Sequence, residues 1–409
     1  MSDPNANRPG YKKTKVGWIP KEWSLDRLGN LVSITSGRCP SDYCLSRTGK
    51  FPFVKVDDLN SSVRFQNGSK EYADEGAGLI PKGATLFAKR GAAIETNKVR
   101  LSGVQLFMDT NMMALIPNRD SLFPEFLFYS ISFQNLYRIA DTSPIPQINN
   151  KHINPHRIPL PSINEQARIT AVLSTCDEAI EKTGDLIKAK QRQKKALMQQ
   201  LLTGKKRLPG FEGEWTKVRI GDLFEEVSRP VEWDDQKMYK LVSVRRRSGG
   251  LFFREALHGK DILSKVMNTT HTGDFLISKM QVIHGAMAMT PTEFDGGHVS
   301  GSYITLVTKD GAPIHTPFFD YLSRTDWLYH LTFISSYGVV IEKMTFNLTD
   351  FLKKSIEIPP TIQEQERICD LLKTCENEES ALGRKLSALK QQKKALMQKL
   401  LTGQVRVKV

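Results

Sequence analysis

The sequence predicts an α+β chain. Two mixed α/β domains are separated by two long helices, the helices form an antiparallel coiled coil, and the whole is an internal repeat with pseudo-two-fold symmetry. Three observations predict this. First, Asn164–Gly204 (NEQARITAVLSTCDEAIEKTGDLIKAKQRQKKALMQQLLTG) returns without a gap as Gln363–Gly403 (QEQERICDLLKTCENEESALGRKLSALKQQKKALMQKLLTG), Glu165 and Glu364 lying 199 residues apart, as do Gly204 and Gly403. Second, a weaker match precedes each copy, Lys15–Leu31 against Arg207–Leu223, pairing Trp23 with Trp215. Third, the stretches between these landmarks are broken into short apolar runs of strand character. A repeat of this kind dictates the architecture before any single motif does.

In chain order the organisation is a polar segment (1–14), a first domain (15–160), a first helical region (161–206), a second domain (207–358), and a second helical region with its tail (359–409). Phe51–Val56, Thr85–Ala88 and Met112–Pro117 read as strands of the first domain, with Phe123–Phe133 a helix packed on them. Leu241–Val244, Phe275–Ser278 and Tyr303–Val307 are the strands of the second, with Pro317–Leu322 helical. Trp23 and Trp215, at matched places, are expected in core packing.

The helical repeats carry a heptad. Ile169, Leu173, Cys176, Ile180, Thr183, Ile187, Lys190, Lys194, Leu197 and Leu201 alternate spacings of four and three. So do Ile368, Leu372, Cys375, Glu379, Leu382, Leu386, Leu389, Lys393, Leu396 and Leu400. That alternation is the seam of a left-handed coiled coil. Each helix should begin after Pro161 or Pro360, stop at Gly204 or Gly403, and reach roughly 60 Å at 1.5 Å per residue. So narrow an apolar seam needs a partner, and the two copies are each other's. Antiparallel pairing closes a duplicated unit through a two-fold. It also makes the middle junction, LLTG-KKRL-PGFEGEW, equivalent to the C-terminal LLTG-QVRV taken with the N-terminal TKVGWIPKEW. The polar seam positions Lys190, Lys194, Glu379 and Lys393 should weaken the pair or fix its register.

Composition narrows the function. A net charge of +14 and a pI near 9.4 favour a polyanionic partner, nucleic acid before anionic membrane. The odd count of five cysteines argues against a disulfide framework and for a reducing cytoplasm. The opening residues show no apolar signal region, and no apolar run is long enough to span a membrane. Catalytic motifs are not found: Pro359–Pro360 follows Glu357 and Ile358 rather than the Asp/Asn of an amino-methylation motif, and Gly204–Lys205 lacks the rest of a phosphate-binding loop. Metal ligation is disfavoured: Cys39 and Cys44 are too far apart for a zinc knuckle, Cys369 and Cys375 lie on a helix without His partners, and Pro155 between His152 and His156 argues against a helical metal pair.

Over nearly its whole length the chain resembles the specificity subunits of type I restriction–modification enzymes. The resemblance rests on Ile158–Ile169 (IPLPSINEQARI), Ile356–Ile368 (IEIPPTIQEQERI) and the two KKALMQ…LLTG helix ends, with looser matches at Ile19–Arg38 and Pro81–Gly91. It implies two target-recognition domains, each reading one half of an asymmetric bipartite sequence in double-stranded DNA. It implies a non-catalytic chain in the cytoplasm, serving defence against foreign DNA. Its partners would be two methyltransferase subunits and restriction/translocase subunits. S-adenosylmethionine, ATP and Mg would be bound by those partners, and this chain would hold no cofactor.

DNA contacts call for Arg and Lys at guanine edges and phosphates, Asn and Gln at adenine, and Ser and Thr at phosphates. The candidates in the first domain are Lys89, Arg90, Asn97, Lys98 and Arg100, then Thr142, Ser143, Gln147, Asn149 and Lys151. Those in the second are Arg245, Arg246, Arg247, Ser248, Lys279 and His284. For any one of them a solvated surface charge is the competing reading. The competing function is a coiled-coil scaffold whose two domains bind proteins.

Overall fold

The structure, a computed structural model, describes residues 5–141, 144–340 and 344–407. The chain divides into two compact units. One comprises the described residues of Met1–Leu186 and Leu382–Val409, the other Ile187–Ala381. The long helices run over Ile163–Leu201 and Ile362–Leu401, so each unit takes part of both.

The first unit is built on a five-stranded sheet in the order Val32–Ser36, Met112–Pro117, Thr85–Ala88, Val99–Ser102, Phe65–Gln66. Thr85–Ala88 is buried along its length, which explains its unbroken apolar run: both faces are covered. Successive side chains point to opposite faces. Leu86, with Ala84, Met112 and Ala114, packs into one cluster with Val54, Leu59 and Leu106. Phe87, with Met113 and Leu115, packs on the other face among Phe126, Leu127, Ile169 and Leu173. The helix there is Pro124–Gln134, opened by a proline whose missing N–H costs nothing at that position.

The second unit repeats the plan. Its four-stranded sheet runs Phe224–Val227, Tyr303–Thr308, Phe275–Ser278, Met287–Met289. A companion sheet is ordered Leu251–His258, Met238–Val244, Gly297–Ser300, Met267–Thr270. Leu276 packs into a cluster with Val242, Val244 and Val299, while Phe275 and Ile277 face Phe318, Phe319, Ile368 and Leu372. Three strands differ in extent from the expectation, one of them, Tyr303–Thr308, by a single added residue. Phe51–Val54 ends early because Val56–Asn60 winds into a 3₁₀ turn, and the strand ending at Val244 begins at Met238.

Within each unit the two helices contact each other in opposite directions. In the first, Asp177 pairs with Lys393 at 2.5 Å and Glu165 with Arg406 at 2.6 Å. In the second, Lys194 pairs with Glu379 at 3.1 Å, Lys190 with Glu378 at 2.7 Å, and Arg207 with Glu364 at 2.6 Å. The heptad positions are the least exposed stripe of each helix: Ile169, Leu173, Ile180, Leu201, Ile368, Leu372 and Leu400 are buried, while Cys176, Ile187, Leu197, Cys375, Leu382, Leu386, Leu389 and Leu396 are half-buried. The polar seam residues are therefore paired.

The Glu-Gln dipeptide opening each helix is buried in both copies, Glu165 and Glu364 at 1% exposure and Gln166 and Gln365 at 0%. Gln166 donates to the carbonyls of Ser121 and Pro161 and accepts from Phe123 N–H. Gln365 does the same with Pro313, Pro359 and His315. Each thus stitches the helix start to its domain. Glu165 accepts from Trp23 Nε1 at 3.0 Å and from Arg406 at 2.6 and 2.9 Å. Arg207 grips Glu364 through two bonds of 2.6 Å. Past the helix ends, Gly204 and Gly403 take positive φ (67° and 70°), so the chain turns back under Trp215 and Trp23, and a Cβ on Gly403 would meet Pro20 at 2.5 Å. Trp23 is buried as expected, and Trp215 is half-buried against Phe318.

The described residues of the polar N-terminal segment are tied into the fold: Tyr11–Thr14 pairs with Gly17–Pro20 in a hairpin. Asn5 donates to Thr402 O at 3.1 Å, Arg8 to Gln404 O at 2.8 Å, and the Tyr11 hydroxyl to Gly403 O. The polarity serves backbone carbonyls of the C-terminal tail.

Candidate nucleic-acid interface

In the first unit the ends of Val32–Ser36 and Thr85–Ala88 come together with two loops. Gly37 crosses the 109–111 turn so closely that a Cβ would lie 1.9 Å from Asp109 O, and only glycine fits. Arg38 N–H then donates to Met108 O at 2.9 Å, leaving the Arg38 side chain exposed. Lys89 N–H donates to Asn111 O at 2.7 Å and its Nζ to Ser36 Oγ at 3.3 Å. Burial and the neighbouring Arg90 hold the Lys89 ammonium below the usual lysine range, against the opposing pull of Asp109.

The two sequence-predicted groups of this domain are joined here. Ile148 N–H donates to Lys89 O at 2.9 Å and Gly91 N–H to Pro146 O at 3.0 Å, while Arg90 bridges Gln147. Asn149 caps the short helix Asn150–Ile153, and Lys151 is exposed on it. Arg38, Lys89, Arg90, Asn149 and Lys151 thus share one loop cluster, and Lys98 is half-buried.

Two predicted contacts are committed to the fold instead. Asn97 donates to Ser132 O at 2.7 Å and accepts from Leu136 N–H at 3.0 Å. Arg100 donates to Leu59 O at 2.6 Å, Val99 O at 2.7 Å and Ser62 Oγ at 3.2 Å. These bonds hold both side chains against their own unit. Thr142 and Ser143 lie outside the described residues. Arg38 was missed; its signal was an arginine just after a strand and a glycine.

The second unit repeats the lysine. Lys279 follows Phe275–Ser278 as Lys89 follows Thr85–Ala88; its N–H donates to Ser302 O at 2.9 Å, its carbonyl accepts from Phe346 N–H at 3.0 Å, and its Nζ reaches Gly301 O at 3.3 Å. Arg245–Ser248 lie in the turn between Met238–Val244 and Leu251–His258. Arg245, Arg246 and Arg247 are exposed, Ser248 and His284 half-buried. Arg247 N–H donates to His284 O at 2.6 Å and Ser248 N–H to Gly285 O at 3.0 Å, so these candidates too are brought together. Arg229, at the place of Gly37, is bound to buried Asp274 at 2.6 and 3.2 Å and acts in the fold. Among the described residues no group of three metal-ligating side chains occurs, and no helix is long and apolar enough to cross a membrane.

Known proteins share this arrangement. Residues 20–191 match the family model of the type I restriction modification DNA specificity domain. A putative type I restriction enzyme MjaX specificity subunit of Methanocaldococcus jannaschii is 22% identical over 97% of both chains. The MjaVIII specificity subunit of the same organism is 20% identical over 95% of this chain and 94% of its own. Among solved structures, the S subunit of a type I restriction–modification system from M. genitalium aligns with a TM-score of 0.56 at 16% identity, over 92% of this chain and 96% of that one. A chain from work on complex assembly and conformational transition of the type I R-M system aligns at 0.59 and 19% identity, over 95% and 99%. Two α/β folds on long helices are thus what the chain shares with these solved structures. Over nearly its whole length the chain is similar to specificity subunits of type I restriction–modification systems, and residues 20–191 match the specificity domain itself.

Proposed function

We propose that each unit reads one part of a bipartite asymmetric sequence in double-stranded DNA, and that the two long helices, as an antiparallel coiled coil with pseudo-two-fold symmetry, fix the chain for two methyltransferase subunits and for restriction/translocase subunits. One observation carries the reading. Lys89 and Lys279 occupy the same topological place in both units: each N–H donates to the residue just before the neighbouring strand, Asn111 or Ser302, and each carbonyl accepts from a later segment, at Ile148 or Phe346. In the first unit the contacts are made by Arg38, Lys89, Arg90, Gln147, Asn149 and Lys151, with Thr142 and Ser143 close to Gln147 in sequence. In the second they come from Arg245, Arg246, Arg247, Ser248, Lys279 and His284. S-adenosylmethionine, ATP and Mg act on the partner subunits in the cytoplasm.

The test is methylation of a pooled duplex library by the cognate methyltransferase with and without this chain. Sequence-specific methylation should need both proteins. Lys89→Ala and Lys279→Ala should each weaken binding and lower the salt dependence by about one phosphate contact. Unaltered binding and salt dependence in both variants would remove the lysines from the interface. A chain that binds protein partners but leaves their DNA selectivity unchanged would favour the scaffold reading.

A further inference from the structure

On the reading just given, we propose that Arg247 recognises a guanine in the second unit's part of the target, its guanidinium forking onto the O6 and N7 acceptors in the major groove, with Tyr329 and Gly285 as positioning residues. The turn that carries it is strained. Arg247 and Ser248 both adopt positive φ, 56° and 53°, a region that side chains disfavour and glycine tolerates. Gly250 in the same turn is also left-handed, at φ 70°, as a glycine readily is, but Arg247 and Ser248 adopt the conformation without that freedom. Such strain persists where the surroundings over-determine it, and it gathers at functional sites.

The surroundings here do so. Arg245 N–H closes the hairpin on Gly250 O at 2.9 Å, Arg247 N–H is held by His284 O at 2.6 Å, and Ser248 N–H by Gly285 O at 3.0 Å. The Ser248 hydroxyl bonds the Tyr329 hydroxyl. A Cβ at residue 285 would sit 2.2 Å from that same hydroxyl, so glycine keeps the prop in place.

The three arginines differ in what they are free to do. Arg245 lies over the Phe252 ring at 4.4 Å. Arg246 and Arg247 are exposed, and among the described residues neither enters a salt bridge. Only Arg247 has its own N–H and that of the next residue pinned to a neighbouring element. A phosphate contact asks for charge and tolerates a mobile stem, whereas base reading asks for a planar fork leaving a fixed point. Arginine on guanine is the commonest contact of that kind.

The experiment uses the full chain with its methyltransferase subunit and a duplex pool randomised across the target, sequencing the methylated products. Wild type should require G at one position in the second unit's part. Arg247→Ala and Arg247→Gly should lose that preference by roughly 10- to 100-fold and leave the other positions intact. Arg247→Gly should also melt no lower than wild type, because glycine relieves the left-handed strain. Tyr329→Phe should relax the same single position, which a general loss of stability would not single out. Arg246→Ala should weaken all sequences alike. Unchanged selectivity in the Arg247 variants, or a uniform loss across all sequences, would overturn the assignment. A wild-type complex without any sequence preference would overturn the recognition reading and this assignment with it.

Discussion

Glu165 and Glu364 show why one residue type stands at the start of both long helices. Each carboxylate is out of water and is met by an arginine fork, from Arg406 or Arg207. The Glu-Gln motif was visible in the sequence, but its reason was not, because the partners lie 241 and 157 residues away. Removing one side of a buried pair strands the other, so Glu364→Ala should cost about 3 kcal/mol, at the low end for buried pairs because Arg207 keeps some exposure. Chemical denaturation would check this, and a loss below 1 kcal/mol would mean the fork is ornamental. A second prediction concerns acid. Burial holds His298 below its ordinary 6.5, a backbone hydrogen bond at Gly297 opposing the effect and Lys237 adding to it. A depressed folded value means stability that is full above pH 6.5 and lost as pH falls through the folded value. His298→Gln should therefore flatten the fall in stability below pH 6.5, and an unchanged pH slope would exclude this histidine as its source.

The long helices were the most legible elements, because a heptad is a local pattern. Their direction of pairing follows from charge as well as from the repeat. Residues 163–186 carry five acidic and two basic side chains, and 187–201 carry five basic and none acidic. Residues 362–381 carry six acidic and two basic, and 382–401 six basic and none acidic. In each unit an acidic segment meets a basic one; parallel pairing would set like against like. The polar seam residues read as weak points from sequence, since no single helix shows which residue its neighbour will supply. Lys194 and Glu379, at 23% and 17% side-chain exposure, serve as a register pair. Lys194→Glu should destabilise by about 1–3 kcal/mol, between the values for exposed and buried pairs. Adding Glu379→Lys should restore most of it. A double variant no better than the single one would show that the two do not interact.

At the scale of the whole chain, the strands and helices of both domains were legible because buried runs and proline starts are short-range signals. The interface was only half legible. Exposed basic loops could be picked out, but Asn97 and Arg100 looked the same in sequence as Arg90, and only tertiary contacts divert their polar atoms inward. The likeness in sequence between the chain ends and the middle junction carries a prediction. Arg406 follows Gly403 by the same three residues as Arg207 follows Gly204, and each arginine takes up the opening glutamate of the other helix. Asn5 and Arg8 already rest on Thr402 and Gln404, so the permutation joins Val409 to Met1 through a short linker. By the repeat offset, the place that corresponds to the C-terminus is Gly210. A chain opened between Pro209 and Gly210 and joined through that linker keeps Arg207 on the helix side of the cut, as Arg406 is on its own. Such a permuted chain should have the same circular dichroism, melt within a few degrees of wild type, and direct methylation to the same sequence. Opening instead within residues 190–194, where Lys190 and Lys194 hold Glu378 and Glu379, should unfold the helix pair. If both permutants failed alike while wild type stayed soluble, the two junctions would not be equivalent.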